Sequence, residues 1–124
     1  MRMERGQPAS GPVIRGFTAA GFRLDDVTVA PALLLTEDRA IDWMPPPIAD
    51  LSIEALEPAL TPTPEFIILG TGARLARPPQ SLVRVLEARG IGIEAMDSRA
   101  AARAWGVLRD EGRRVAAALY PLDA

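Results

Sequence analysis

Glu65-Phe66-Ile67-Ile68-Leu69-Gly70-Thr71-Gly72-Ala73-Arg74, running on to Arg77-Pro78-Pro79, is the stretch from which the fold can be read. Phe66 to Leu69 is apolar without alternation, a pattern that requires cover on both faces of a strand. A Gly-Thr-Gly turn closes that strand, and a helical pattern follows from Pro79 to Arg89. Proline stands at the start of this helix, Leu82, Val83 and Leu86 share one face, and Gly90 is placed as the C-terminal stop. Ile91 to Met96 predicts a second inner strand. Asp97 or Ser98 caps a third helix through Asp110-Glu111, with Ala101, Ala104, Trp105 and Leu108 at the spacing of one face. Gly112 stops it, and Arg114 to Tyr120 predicts the last strand, ended by Pro121. The second half is therefore β-α-β-α-β, whose short connections favour a mostly parallel sheet.

Working back towards the N-terminus, Thr61-Pro62-Thr63-Pro64 is a stiff, extended connector. Ser52 is placed to cap a short helix through Ile53, Leu56 and Leu60, which Pro58 ends or kinks early. Before Met44-Pro45-Pro46-Pro47 the pattern is an antiparallel meander. Val13 to Ala20 holds an edge strand. Phe22 to Leu24 and Val27 to Val29 form a hairpin about Asp25-Asp26, and the second arm runs on to Thr36 with Pro31 inside it, as an edge or a bulge. Glu37-Asp38-Arg39 turns into the strand Ala40 to Trp43. The fold class expected is α/β: three layers, a central mixed and mostly parallel sheet with helices, plus the N-terminal antiparallel β meander. A ferredoxin-like α+β arrangement is the alternative, and the continuous apolar strands disfavour it. Residues 13–122 form a single domain in this reading, with residues 1–12 a frayed arm that has nothing to bury.

Composition bounds the chemistry. The 124 residues include no Cys, no His and no Lys; all 14 cations are Arg, and the net charge is −2. Thiolate nucleophiles, zinc-thiolate sites, imidazole bases, Schiff bases and a P-loop lysine are excluded. No metal site and no cofactor is expected. The charge gives no field for non-specific nucleic-acid binding. No apolar run reaches the ~18 residues a membrane span needs, and Met1 to Gly11 lacks the apolar core of a secretory signal. A cytoplasmic protein is the default expectation.

The run Ile68-Leu69-Gly70-Thr71-Gly72, the stretch Leu86 to Ser98, the Ala100-Ala101 pair and Glu111-Gly112-Arg113-Arg114-Val115-Ala116-Ala117-Ala118-Leu119, taken in this order, resemble a known family. It is a small α/β domain family of unknown molecular function that includes the mitochondrial respiratory complex I assembly factor 3 and an adipogenesis-associated cytosolic protein. The resemblance covers about residues 13 to 122 and implies a three-layer α/β fold with a central mixed sheet. It also implies action through protein partners in respiratory-complex biogenesis, at the inner face of a membrane and peripheral to it. Two positions depart from the family: Ala102 stands where a Cys is common, and Trp105-Gly106 where Tyr-Asn is frequent. Chemistry by a helix thiol or amide would fail in this chain.

The candidate pocket is set by Gly70, Thr71, Gly72, Arg74, Asp97 and Trp43. Gly70-Thr71-Gly72 stands beyond the carboxyl end of a strand, where open α/β sheets bind ligands, and its amides could hold an anion. The spacing is not Gly-x-Gly-x-x-Gly, since Leu75 occupies the last position, and a tight turn explains the glycines equally well. Arg74 and Arg77 could ring an anion or be solvated. Asp97 is a helix cap or an acid facing Thr71, and Trp43 a core or lid residue. Glu94 lies within a strand, facing outward or paired with an arginine. Arg99 and Arg103, four apart, are surface charge or a docking face for an acidic partner. Gly106 in mid-helix calls for close contact with a neighbouring element. Two functions remain: a non-enzymatic binding or assembly protein, or a small-ligand-binding domain or enzyme using the loop. No catalytic residue can be named for the second.

Overall fold

The computed structural model describes residues 11–124. The frayed arm expected over 1–12 falls, for residues 1–10, outside the described residues. Eight strands and three helices follow in chain order. These are β1 (Gly16–Thr18), β2 (Gly21–Arg23), β3 (Val29–Ala30), β4 (Leu33–Leu35), β5 (Ala40–Asp42), α1 (Ile53–Leu56), β6 (Phe66–Gly70), α2 (Gln80–Ala88), β7 (Gly92–Met96), α3 (Ser98–Asp110) and β8 (Val115–Leu119). Strands β1 to β3 form a small antiparallel sheet, and the other five form a mixed sheet in the order β5-β4-β8-β6-β7. Strands β8, β6 and β7 run parallel, while β4 joins β8 antiparallel.

The unbroken apolar run of β6 is explained by its position. Ile67, Ile68 and Leu69 are fully buried, each stabilising the fold by about 1.5–3 kcal/mol. Successive residues face opposite layers. Ile67 and Leu69 pack with Leu34, Ala116 and Ala118 against Leu56, Leu82 and Leu86 from α1 and α2. Ile68 packs with Leu33, Leu35, Ala117 and Leu119 against Ala101 and Trp105 of α3 and against Phe22 of the small sheet. Three layers result. The middle strand of the large sheet is β8, whose run of alanines fits between β4 and β6.

Several elements differ from the sequence pattern. The strand expected over 29–36 breaks at Pro31 and Ala32, and its two pieces enter different sheets. Proline has no N–H for a ladder, so the chain crosses between sheets where pairing is already lost. The hairpin turn is longer than two residues. Asp25 Oδ1 accepts the N–H groups of Val27 and Thr28 at 2.9 and 2.7 Å, which leaves Val27 in the loop, 89% exposed. Those two bonds hold the Asp25 carboxyl below its ordinary pKa. The helix from Ser52, by contrast, ends early at Pro58 as expected: α1 gives way to a 3-10 turn over Glu57–Ala59, because Pro58 cannot donate. Ser52 makes no side-chain bond to a helix amide. Strand β7 is not an inner strand: it closes the sheet at one edge, with Glu94 exposed.

Both longer helices end as their glycines require. Ile91 N–H bonds Leu86 O and Gly90 N–H bonds Glu87 O; Arg113 N–H to Leu108 O and Gly112 N–H to Arg109 O repeat the arrangement. Gly90 and Gly112 carry φ of 77° and 74°, the left-handed closure of a Schellman motif. Gly106 is different. A Cβ placed there meets no atom within 4 Å, so the close contact expected of it is absent. Gly106→Ala should therefore raise stability by about 0.5–1 kcal/mol, read as a higher urea midpoint.

Candidate functional site

At the carboxyl end of β6 the chain enters Gly70-Thr71-Gly72, and all three residues are buried. A Cβ on Gly70 would lie 2.9 Å from both Leu119 Cδ2 and Ser98 Cα. Gly72 has φ 108°, and a Cβ there would collide with the Ala124 carbonyl oxygen. Gly72→Ala should thus cost more than ~1 kcal/mol, measured by denaturant unfolding.

The loop's polar groups are engaged internally. Thr71 N–H donates to Met96 O at 2.8 Å, Gly72 N–H to Ser98 Oγ at 2.8 Å and Ala73 N–H to Ala124 O at 3.0 Å. Gly70 O accepts from Tyr120 N–H at 2.9 Å, and Gly72 O from Ser98 N–H at 2.8 Å. Thr71 Oγ1 donates to Arg74 O at 2.6 Å and accepts from Ala76 N–H at 2.9 Å. Ser98 Oγ in turn donates to Tyr120 O at 2.8 Å. The turn therefore ties the ends of β6, β7 and β8 to the first turn of α3. An anion cradle needs unpaired amides, and the three consecutive loop amides are taken.

The remaining candidates separate. Asp97 sits beside the loop as the N-cap of α3, its Oδ1 accepting from Ala100 N–H at 2.9 Å. Arg74 and Arg77 are exposed. Trp43 belongs to the opposite layer. Its indole N–H donates to Ala55 O at 3.1 Å, and its ring meets Tyr120 edge-on at a centroid distance of 5.2 Å. Tyr120 hydroxyl donates to Pro46 O at 2.7 Å. Burial, aided by the nearby Asp50 carboxylate, pushes that hydroxyl up to about 12. The structure thus gathers Gly70, Thr71, Gly72 and Asp97, with Arg74 on the surface and Trp43 elsewhere.

Sequence reasoning missed Ser98 and Tyr120 as the partners of the loop. The Ser98 hydroxyl after Asp97 reads as an alternative cap, and only the meeting of β6 with β8 reveals its other role. A cavity of about 470 Å³ lies on the α3 side of the loop, between Thr18 to Gly21, Ala73, Arg99 and Asp123. It unites segments from both ends of the sequence. Arg99 and Arg103 both lie over the Phe17 ring, at 5.6 and 5.9 Å from its centroid. A shared aromatic face offsets their like charge. Among the described residues no group of His, Cys, Asp and Glu could hold a metal ion, and no helix is long and apolar enough to cross a membrane.

The model of a family described as protein of unknown function (DUF498/DUF598) matches residues 14–120. The chain is similar to an uncharacterized Rhodobacter capsulatus protein, 37% identical over 109 residues, with 88% of this chain and 84% of that protein covered. It is also similar to NADH dehydrogenase (ubiquinone) 1 alpha subcomplex assembly factor 3 of Danio rerio, 32% identical over 120 residues, with 95% and 69% covered. A crystal structure of a Bordetella parapertussis protein superposes with a TM-score of 0.80 at 32% identity, covering 90% of this chain and 97% of that one.

Proposed function

The chain belongs to the family of proteins of unknown function DUF498/DUF598, and from that premise we propose that it is a non-enzymatic binding protein serving the assembly of a respiratory complex. Its unit of action is the α/β domain of residues 13–122. It works through protein partners, in the cytoplasm and peripherally at the inner membrane. Support comes first from the relatives named as assembly factors of NADH dehydrogenase. The observation that carries the non-enzymatic part is the internal engagement of the loop at Gly70-Thr71-Gly72, the best ligand position the fold offers. With those amides bonded within the chain, and with no Cys, His or Lys side chain in the sequence, Gly70-Thr71-Gly72 offers no free amide, thiol, imidazole or lysine amine to a small substrate.

Capture of the tagged chain from its source cell tests this reading, alongside deletion of its gene. Recovery of NADH dehydrogenase subunits or assembly intermediates, and less assembled complex on native gels after deletion, is the expected result. Normal assembly with no such subunit recovered would overturn it. A thermal-shift screen of nucleotides, organic acids and cofactors should leave Tm unchanged, whereas a ligand present at about 100 times its Kd would add roughly 2.7 kcal/mol.

A further inference from the structure

Strand β7 is the one parallel strand of the large sheet with a free edge, and among the described residues no strand pairs with it there. Its ladder to β6 uses alternate residues: Gly92 N–H donates to Glu65 O at 3.2 Å, and Met96 O accepts from Thr71 N–H at 2.8 Å. In a parallel ladder the groups between them point the other way. The N–H and C=O of Ile93 and Ala95 therefore face outward. Beside this edge, on the α3 side, runs a groove of about 450 Å³ lined by Phe66, Ile68, Met96, Ala104 and Leu108. Gly92 has no side chain to fill it. Glu94 is the single charged residue among the described groove-lining residues.

We propose that the β7 edge and this groove receive an extended segment of a partner protein, which adds a strand to the sheet and sets an Arg or Lys opposite Glu94, with apolar residues two positions away on the same face. The surface rests on the reading of the chain as a protein-binding module and specifies where that module binds. Main-chain bonds to Ile93 and Ala95 supply attachment, and the groove with its lone acid supplies selectivity. A second copy of the chain fits poorly. The antiparallel register that uses all four outward groups pairs Ile93 with Ala95 of the copy. It sets Glu94 against Glu94 in a non-hydrogen-bonded pair, where the side chains stand closest and like charges repel. A charged residue on a free edge also discourages indiscriminate pairing.

The test is an amide-resolved NMR titration of the full chain with two Thr-rich peptides. Each has Val and Leu two residues to either side of a central residue, which is Arg in one and Glu in the other. Amide shifts at Ile93, Ala95 and Met96, with the Arg peptide about fivefold tighter, are expected, and Glu94→Arg should invert the preference. Equal affinities, shifts mapping away from β7, or no shifts with either peptide would overturn the proposal. So would β7 shifts that depend on protein concentration alone, which would make the second copy the occupant. Partner capture that survives Glu94→Arg unchanged would remove this surface and leave the assembly role standing. Failure of capture with wild type and variant alike, while the peptides still bind at β7, would remove the assembly role and leave the surface.

Discussion

Replacing Ser98 by Ala is expected to destabilise the fold by about 3 kcal/mol, because two buried backbone groups lose their partner in one step. Ser98 is fully buried. Its hydroxyl accepts from Gly72 N–H and donates to Tyr120 O, both at 2.8 Å. Removing the oxygen leaves a donor on the loop and an acceptor just past β8 unpaired. Each such group costs roughly 1–3 kcal/mol when water cannot replace the lost bond. Water has little room, since even a methyl on Gly70 would press to within 3.0 Å of that hydroxyl. Urea unfolding gives the number, and Ser81→Ala on the exposed side of α2 is the control, expected within about 0.5 kcal/mol of wild type. A loss below about 1 kcal/mol for Ser98→Ala would mean the hydroxyl is replaceable and the loop is not held by it.

The same site shows what a linear reading can and cannot reach. The strand from Phe66 to Leu69 was legible because an unbroken apolar run tolerates only two-sided burial. The ends of α2 and α3 were legible because Gly90 and Gly112 follow periodic segments at the spacing a left-handed closure needs. These are local signals. The edge position of β7 is not local. Ile91 to Met96 resembles an inner strand in composition, and Glu94 is the one charged residue in it to hint at the free side. The division of residues 29–36 between two sheets depends on what each half pairs with, and Pro31 marks a break without saying where the chain goes next. Gathering Trp43 with Gly70-Thr71-Gly72 failed for a related reason. Pattern places both near strand ends, but the packing of Trp43 on Tyr120 and Ala55 puts it in the other layer. Ser98 was visible as a hydroxyl at a helix start. Its bond to Tyr120 spans 22 residues and exists because β8 is inserted beside β6.

Trp105→Ala should have the largest effect of any single truncation considered, about 4 kcal/mol by urea unfolding. The indole is fully buried in the layer between α3, the large sheet and the small sheet, with Phe22, Leu33, Ile68 and Val115 in the same cluster. No neighbour on a regular strand can collapse into the space without breaking its ladder, so a cavity remains. Two polar contacts are lost with the ring. The indole N–H donates to Pro12 O at 3.1 Å and so fixes the point where the chain enters β1. The buried Arg109 guanidinium lies 6.0 Å from the ring centroid while donating to Arg113 O at 2.8 Å. Without the ring face, that cation is left in an emptier, less polarisable site beside the helix terminus it closes. Trp105→Phe separates these contributions: it retains most of the apolar volume and deletes the N–H, and a loss of about 1–2 kcal/mol is expected. Trp43, the only other tryptophan of the chain, then reports unfolding from the opposite layer by its own fluorescence. If Trp105→Phe costs as much as Trp105→Ala, anchorage of Pro12 governs the docking of the small sheet, and the packing of α3 on it is secondary.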